Sequence, residues 1–299
     1  GDFHFYQVDC GKLSGLSMLG YGSLSGSYAG VWDTRGPSFH IDSKVERLNI
    51  HQGNVKDMKV AMTYETGKLD VMATVENEQM QGGVLLAYDL SDSLNFLSTR
   101  GQLRIDELAA FGLDIKGGQE ALETSFEIIH AGQENKSFTN LSLTDFKYTC
   151  DTATFTIDKI SMEDNQKGDH NTTTLKSDVV DLFISGNFRE LRPAPFVFRL
   201  MQNYLPAYSV HQPKKTRKYP KRKEPEKFDF QYTVQVKDAG RILQVLYPDL
   251  YIASGTLITS DYRNETGQLR LRLTTDSIGY EDISLLHSKI DLVGDMQRL

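Results

Sequence analysis

Alternation of apolar and polar residues constrains this chain more than any other feature of its sequence. The clearest run extends from Phe228 to Lys237, and every apolar residue in it has an even number. Successive side chains of a β-strand point to opposite faces, so such a run gives a strand with one apolar and one polar face. The same period predicts a hairpin in which strands 58–64 and 69–75 are joined by a turn at 66–68.

Helical segments are few and short. Residues 107–111 form about one turn, and residues 195–205 carry apolar side chains at helical spacing before Pro206. A further helix is predicted over 239–246, with Asp238 as its N-cap. We therefore predict an all-β fold, mainly an antiparallel or mixed long sheet, with two short helical insertions.

The two predicted helices are too short to cover the apolar faces of so many strands. The sequence leaves two arrangements open. Either two sheets pack face to face as a β-sandwich, or one sheet curls and leaves an apolar trough. In both arrangements the chain consists of a β-rich segment 1–211, a basic flexible loop 212–227 and a second β-rich segment 228–299.

Composition argues against several classes of protein. The chain has 33 basic and 40 acidic residues and a net charge of -7, which disfavours nucleic acid as a partner. No apolar run is long enough to span a bilayer as a helix, and the first residues alternate like a strand instead of forming a signal peptide. We expect the chain to be a piece of a longer polypeptide. Cys10 and Cys150 are too few for a disulfide framework or a thiolate metal site.

Catalytic motifs are not found in the sequence. There is no Gly-x-Ser-x-Gly motif, and the seven histidines show no pair at metal-ligand spacing. We predict that the chain is not an enzyme and holds no cofactor or metal. The oxygen-rich residues Glu163, Asp164, Asn165 and Asp169 could attract Ca²⁺, but their spacing fits no loop consensus and favours a solvated turn.

The basic loop has three interpretations. A solvated connection is the simplest, and nucleic-acid binding is the weakest because Tyr219 is its only aromatic residue. Contact with anionic lipid headgroups is the third, since lysine and arginine near such a surface are attracted to it. The candidates for headgroup contact are Lys214, Lys215, Arg217, Lys218, Lys221, Arg222 and Lys223.

Several phrases carry a family resemblance. A strand at 176–188 ends in Ser-Gly-Asn-Phe and is followed by a short helix at 196–206. A polar loop, the alternating strand from Phe228, a helix ending in Leu-Tyr-Pro at 246–248 and a strand region at 257–271 come next. This order resembles the TamB family, members of the AsmA/TamB superfamily of bacterial envelope proteins.

The resemblance implies a β-taco, a long sheet curled into a groove lined by apolar side chains. The chain would be a non-catalytic periplasmic segment of a protein anchored in the inner membrane of a Gram-negative envelope. It would shield phospholipid acyl chains and support phospholipid transport to the outer membrane and outer-membrane protein assembly. An outer-membrane barrel protein would be a partner through regions outside this chain.

Ten residues are predicted to line the groove: Val60, Met62, Leu69, Val71, Phe230, Tyr232, Val234, Leu269, Leu271 and Leu273. The alternative function is a structural or adhesive β module that binds a surface or a glycan and has a closed sandwich core. Trp32, near Tyr28, is the only hint of it, and a lone tryptophan belongs more often to a core.

Overall fold

A computed structural model describes residues 1–187 and 229–295, apart from residues 16, 35, 91–94, 114, 116–117, 134, 152 and 264. The predicted basic loop 212–227, with its seven candidate headgroup contacts, lies outside the described residues, as does the predicted helix 195–205. The described residues form seventeen strands. They are β1 (Asp2–Asp9), β2 (Leu19–Asp33), β3 (Gly36–Ile50), β4 (Gly53–Glu65), β5 (Lys68–Glu76), β6 (Met80–Asp89), β7 (Asn95–Ile105), β8 (Glu120–Gln133), β9 (Lys136–Cys150), β10 (Ala153–Lys167), β11 (His170–Ser177), β12 (Val180–Gly186), β13 (Phe230–Val236), β14 (Leu250–Ile252), β15 (Leu257–Arg263), β16 (Gln268–Tyr280) and β17 (Ile283–Asp295).

The strands form a single up-and-down sheet. Each strand from β1 to β13 pairs antiparallel with the next one along the chain. β13 then pairs with β15, both β14 and β15 pair with β16, and β16 pairs with β17. The sheet is long, open and curled. The all-β prediction is confirmed, and among the described strands the sandwich alternative is not formed.

Turn chemistry explains where the strands end. The predicted hairpin is β4 and β5, and its turn places Thr66 at φ 49° and Gly67 at φ 85°, the left-handed region that two-residue hairpin turns require. The predicted turn beginning at Asp164 is wrong, because β10 continues to Lys167. Polar residues of β10 pair there with a threonine-rich stretch of β11, and β-branched threonine favours the extended backbone.

Three short helical segments interrupt the strands: α1 (Cys10–Ser14), the 3-10 helix η1 (Leu108–Phe111) and α2 (Gly240–Leu246). The predictions of η1 and α2 are confirmed, whereas α1 was not predicted. Asp238 is not the N-cap of α2; Ala239 holds that position without a side-chain hydrogen bond. No described helix is long and apolar enough to cross a membrane.

The main buried core lies at one end of the strands, where β3 turns into β4. We call this end the capped rim, because η1 and α2 pack there against one face of the sheet. Phe111 of η1 lies so close to the β3–β4 hairpin that a Cβ on Gly53 would be 2.7 Å from its ring. The buried residues of this core are Val55, Ile105, Leu108, Phe111, Tyr148, Cys150, Phe155, Ile157, Val179 and Val245.

Two aspartates just inside the capped rim have left-handed backbone conformations. Asp57 in β4 and Asp145 in β9 have φ of 57° and 54°. Aspartate tolerates the left-handed region better than most residues, and a left-handed residue within a strand interrupts the alternation of its side chains. Val55 and Met58 therefore both contact the core, although regular alternation would place them on opposite faces.

Candidate functional site

One face of the sheet carries a line of side chains that are apolar at every position except one. Residues directly opposite each other in an antiparallel ladder point to the same face, so the register can be followed from strand to strand. One such line, the apolar row, crosses fifteen strands with Thr99 as its single polar member. The apolar row is Tyr28, Ile41, Met62, Val71, Leu86, Thr99, Ile128, Leu141, Met162, Leu175, Leu182, Val234, Ile258, Leu273 and Ile290.

The neighbouring line on the opposite face is polar. Only four of its fifteen members are apolar, namely Ala61, Met72, Leu85 and Leu257. This line, the outer row, is Ser27, Asp42, Ala61, Met72, Leu85, Arg100, Glu127, Ser142, Ser161, Lys176, Asp181, Gln235, Leu257, Thr274 and Lys289. The sheet is thus amphipathic across its whole width.

The apolar row is neither sealed nor fully exposed. Fourteen of its members are half-buried and Tyr28 is exposed; none is buried. Neighbouring strands are about 4.8 Å apart, so the row is about 65–70 Å long. The core described above, including η1 and α2, contacts the same face but only near the capped rim. On the described strands, the apolar row is therefore long and half-exposed, and the capped rim lies to one side of it.

All ten predicted groove residues lie on this face. Val60, Met62, Leu69 and Val71 are adjacent on β4 and β5. Phe230, Tyr232, Val234, Leu269, Leu271 and Leu273 lie on β13 and β16, with β15 between them. Phe230 is buried and the other nine are half-buried.

Sequence reasoning missed the middle of the apolar row. The strands between the two predicted groups contribute six further aliphatic or methionine side chains. Several of these strands are rich in serine, threonine and asparagine, so the alternation is visible only once the partner strands are aligned. The six are Leu86, Ile128, Leu141, Met162, Leu175 and Leu182.

A compact aromatic cluster lies on the same face, at the end of the strands opposite the capped rim. The ring of Phe230 stacks on Tyr232 with centroids 6.3 Å apart and lies 5.5 Å from Tyr262. Burial raises the pKa of the Tyr232 hydroxyl. Phe230 and Tyr262 are 4% and 5% exposed, so the cluster is drier than the half-exposed row beside it.

The oxygen-rich residues near Asp164 are divided between the two faces of the sheet. Glu163, Asp164 and Asn165 are consecutive in β10, so Asp164 points to the apolar face and the other two to the polar face. They do not converge on one cation, and no cluster of three possible metal ligands exists among the described residues. No disulfide bond joins Cys10 and Cys150.

The exposed aromatic residues of β2 differ from the prediction. Trp32 was expected in a core, but it is 81% exposed. It lies four residues after Tyr28, which is 53% exposed, and alternation in the strand places both on the face of the apolar row. The edge of the sheet at β1 and β2 thus presents an accessible aromatic surface.

Comparison with models of known protein families, with curated proteins and with solved structures gives no match. The geometry alone defines a class of structure, a single amphipathic sheet with an unsealed apolar face. The resemblance to the TamB family stays a prediction.

Proposed function

We propose that the chain is a non-catalytic segment that shields lipid acyl chains along the apolar face of its sheet. The observation that carries this proposal is the apolar row, a line of half-buried side chains that continues through fifteen strands. A sealed core would bury these side chains. In strands that are simply exposed to solvent, the apolar residues would alternate along each strand without being aligned with those of the neighbouring strands.

The energetics favour a long wall over a small pocket. Removing an acyl chain of about fifteen methylenes from a bilayer into water costs about 12 kcal/mol at about 0.8 kcal/mol for each methylene. Only a continuous apolar surface makes enough contact with the acyl chain to offset a free energy of that size. The row is long enough to contact extended acyl chains, and the polar outer row keeps the other face of the sheet in water.

Crosslinking tests this proposal directly. The full chain is incubated with vesicles that contain a phospholipid with a photoactivatable acyl chain, and covalent adducts are counted by mass spectrometry. We expect Val234→Arg to lower the adduct yield about tenfold, because a charge in the row opposes acyl contact. Gln235→Arg is the matched control, since its side chain is exposed on the opposite face of the same strand.

The two variants also distinguish a groove from a core. The half-buried position of Val234 predicts that Val234→Arg keeps the circular dichroism spectrum and melting temperature of the wild type. An unfolded Val234→Arg protein would show that the position is sealed, and unchanged crosslinking would show that the row does not contact lipid. Either result would contradict the proposal.

The wider role rests on the sequence resemblance alone. It places the chain in the periplasm, within a parent protein anchored in the inner membrane, and assigns that protein to phospholipid transport and outer-membrane protein assembly. The outer-membrane barrel partner would bind regions outside this chain. Co-purification of the full-length parent protein with a barrel protein from envelope extracts would test this part separately.

A second candidate is an adhesive β module. The accessible surface of Tyr28 and Trp32 favours it, because aromatic platforms bind the faces of sugar rings. A glycan array probed with the wild type and with Trp32→Ala tests this candidate. Binding that disappears in the variant would support it.

A further inference from the structure

A patch of polar side chains lies on the apolar face where β8 to β11 pass beside the end of the strands opposite the capped rim. The line of residues next to the apolar row reads His130, Thr139, Asp164 and Thr173 on β8 to β11. The next line on the same strands reads Gly132, Ser137, Gln166 and Asn171. We call the seven side chains other than glycine the polar patch. Its side chains share a face with the acyl-binding surface proposed above.

Hydrogen bonds join most of the polar patch into pairs. His130 Nδ1 lies 2.8 Å from Thr139 Oγ1. Thr173 Oγ1 donates to Asp164 Oδ1 at 2.5 Å, and Ser137 Oγ donates to Gln166 Oε1 at 3.4 Å. These bonds fix the side chains at the surface of an otherwise apolar wall.

Asn171 has a hydrogen-bond acceptor that nothing satisfies. The residue is only 4% exposed, and its Oδ1 has no hydrogen-bond partner among the described residues. Buried polar atoms in folded proteins are almost always paired, so an orphaned acceptor needs an explanation. It shares a face with Asp164 and lies two residue pairs further along the ladder, opposite Gln166. A ligand that brings a donor to this face would satisfy it.

Asp164 supplies a negative charge at the same place. It is half-buried and accepts one hydrogen bond, from Thr173. Within the part of the chain that the structure describes, no lysine, arginine or histidine forms an ion pair with it. A carboxylate on a partly dry face favours a cation that can also donate hydrogen bonds.

We infer that the polar patch binds the primary ammonium headgroup of an amphiphile whose acyl chains lie along the apolar row. This inference rests on the proposed function, since it names the headgroup of the same ligand. A primary ammonium has three N–H donors and a positive charge, which suit Asn171 Oδ1 and the Asp164 carboxylate together. A trimethylated ammonium keeps the charge but has no donor for Asn171.

Two short-chain lipids that differ only in the headgroup test the inference. The full chain is titrated by calorimetry with dihexanoyl phosphatidylethanolamine and with dihexanoyl phosphatidylcholine. We expect the wild type to bind the ethanolamine lipid about tenfold more tightly. Asn171→Leu should remove most of this preference while leaving the affinity for the choline lipid unchanged. Asp164→Asn should reduce the preference and also weaken binding of the choline lipid, because both headgroups carry the positive charge that the carboxylate attracts. Asp70→Asn, on the exposed opposite face of β5, is the control and should keep the preference.

Each outcome decides a separate point. Equal affinity for the two lipids would overturn the headgroup site and leave acyl binding supported. A preference that survives in both Asp164→Asn and Asn171→Leu would overturn the location of the site. If neither lipid binds, the inference and the proposed function both fail.

Discussion

At the scale of single residues, the most demanding site is a carboxylate buried in the capped rim. Glu120 is 2% exposed and Tyr148 is fully buried. Tyr148 Oη donates to Glu120 Oε1 at 2.7 Å, and the backbone N–H of Ile115 donates to Oε2 at 2.9 Å. A buried carboxylate is stable only when donors surround it, so these bonds hold the segment after η1 against β9.

Tyr148→Phe removes one of these donors and keeps the ring. We expect the free energy of unfolding to fall by about 1–3 kcal/mol, the usual cost of leaving one partner of a buried hydrogen bond unsatisfied. Urea unfolding followed by circular dichroism measures it. Tyr64→Phe is the control, because the Tyr64 ring stacks on Phe39 in a half-buried position, and its loss should stay within about 0.5 kcal/mol. Equal losses in the two variants would contradict this role of the hydroxyl.

At the scale of secondary-structure elements, the edge strand β17 depends on ionic contacts on its polar face. Arg270 of β16 donates two hydrogen bonds to Asp291, at 3.1 and 2.7 Å. Arg272 adds a third bond at 3.3 Å. The Arg270 guanidinium lowers the pKa of the Asp291 carboxyl. An edge strand has only one neighbour, so contacts of this kind decide how often it frays.

Asp291→Asn should make β17 fray more often. We expect faster amide hydrogen exchange across Ile283–Asp295 and no change in β4 and β5. Because the pKa of Asp291 is lowered on folding, its contribution is complete above the ordinary aspartate pKa of about 3.9 and is lost as the pH falls through the folded value. Wild type and variant should therefore converge in acid. The control is Asp276→Asn. Asp276 Oδ1 lies 3.9 Å from His287 Nδ1, and both side chains are exposed. An effect of equal size in this variant would contradict the prediction.

At the scale of the whole molecule, the buried core includes side chains from some strands and not from others. The core at the capped rim contains side chains from β3 to β10, from the segment before β12 and from α2. β1, β2 and β15 to β17 contribute nothing to that core, although Tyr262 of β15 belongs to the smaller aromatic cluster. Each strand contacts mainly its neighbours, as in a repeat protein.

Native-state hydrogen exchange should follow this distribution. We expect the slowest exchange in β9 and β10, which supply four of the buried core residues, and the fastest in β1 and β17. Exchange that is uniform from β1 to β17 would show instead that the sheet unfolds as one cooperative unit.

The sequence by itself determined which strands have an apolar side, because side-chain alternation is a local property of the extended backbone. Val60, Val71, Val234 and their predicted neighbours lie on one face for that reason. The local sequence also determined the positions of most turns, except for the strand end near Asp164. Only the tertiary structure decided that the strands form one sheet, that their registers align into the apolar row and that the core sits at one rim. Register and curvature depend on pairing between distant segments and on irregularities such as the left-handed residue Asp57, and no local period specifies them.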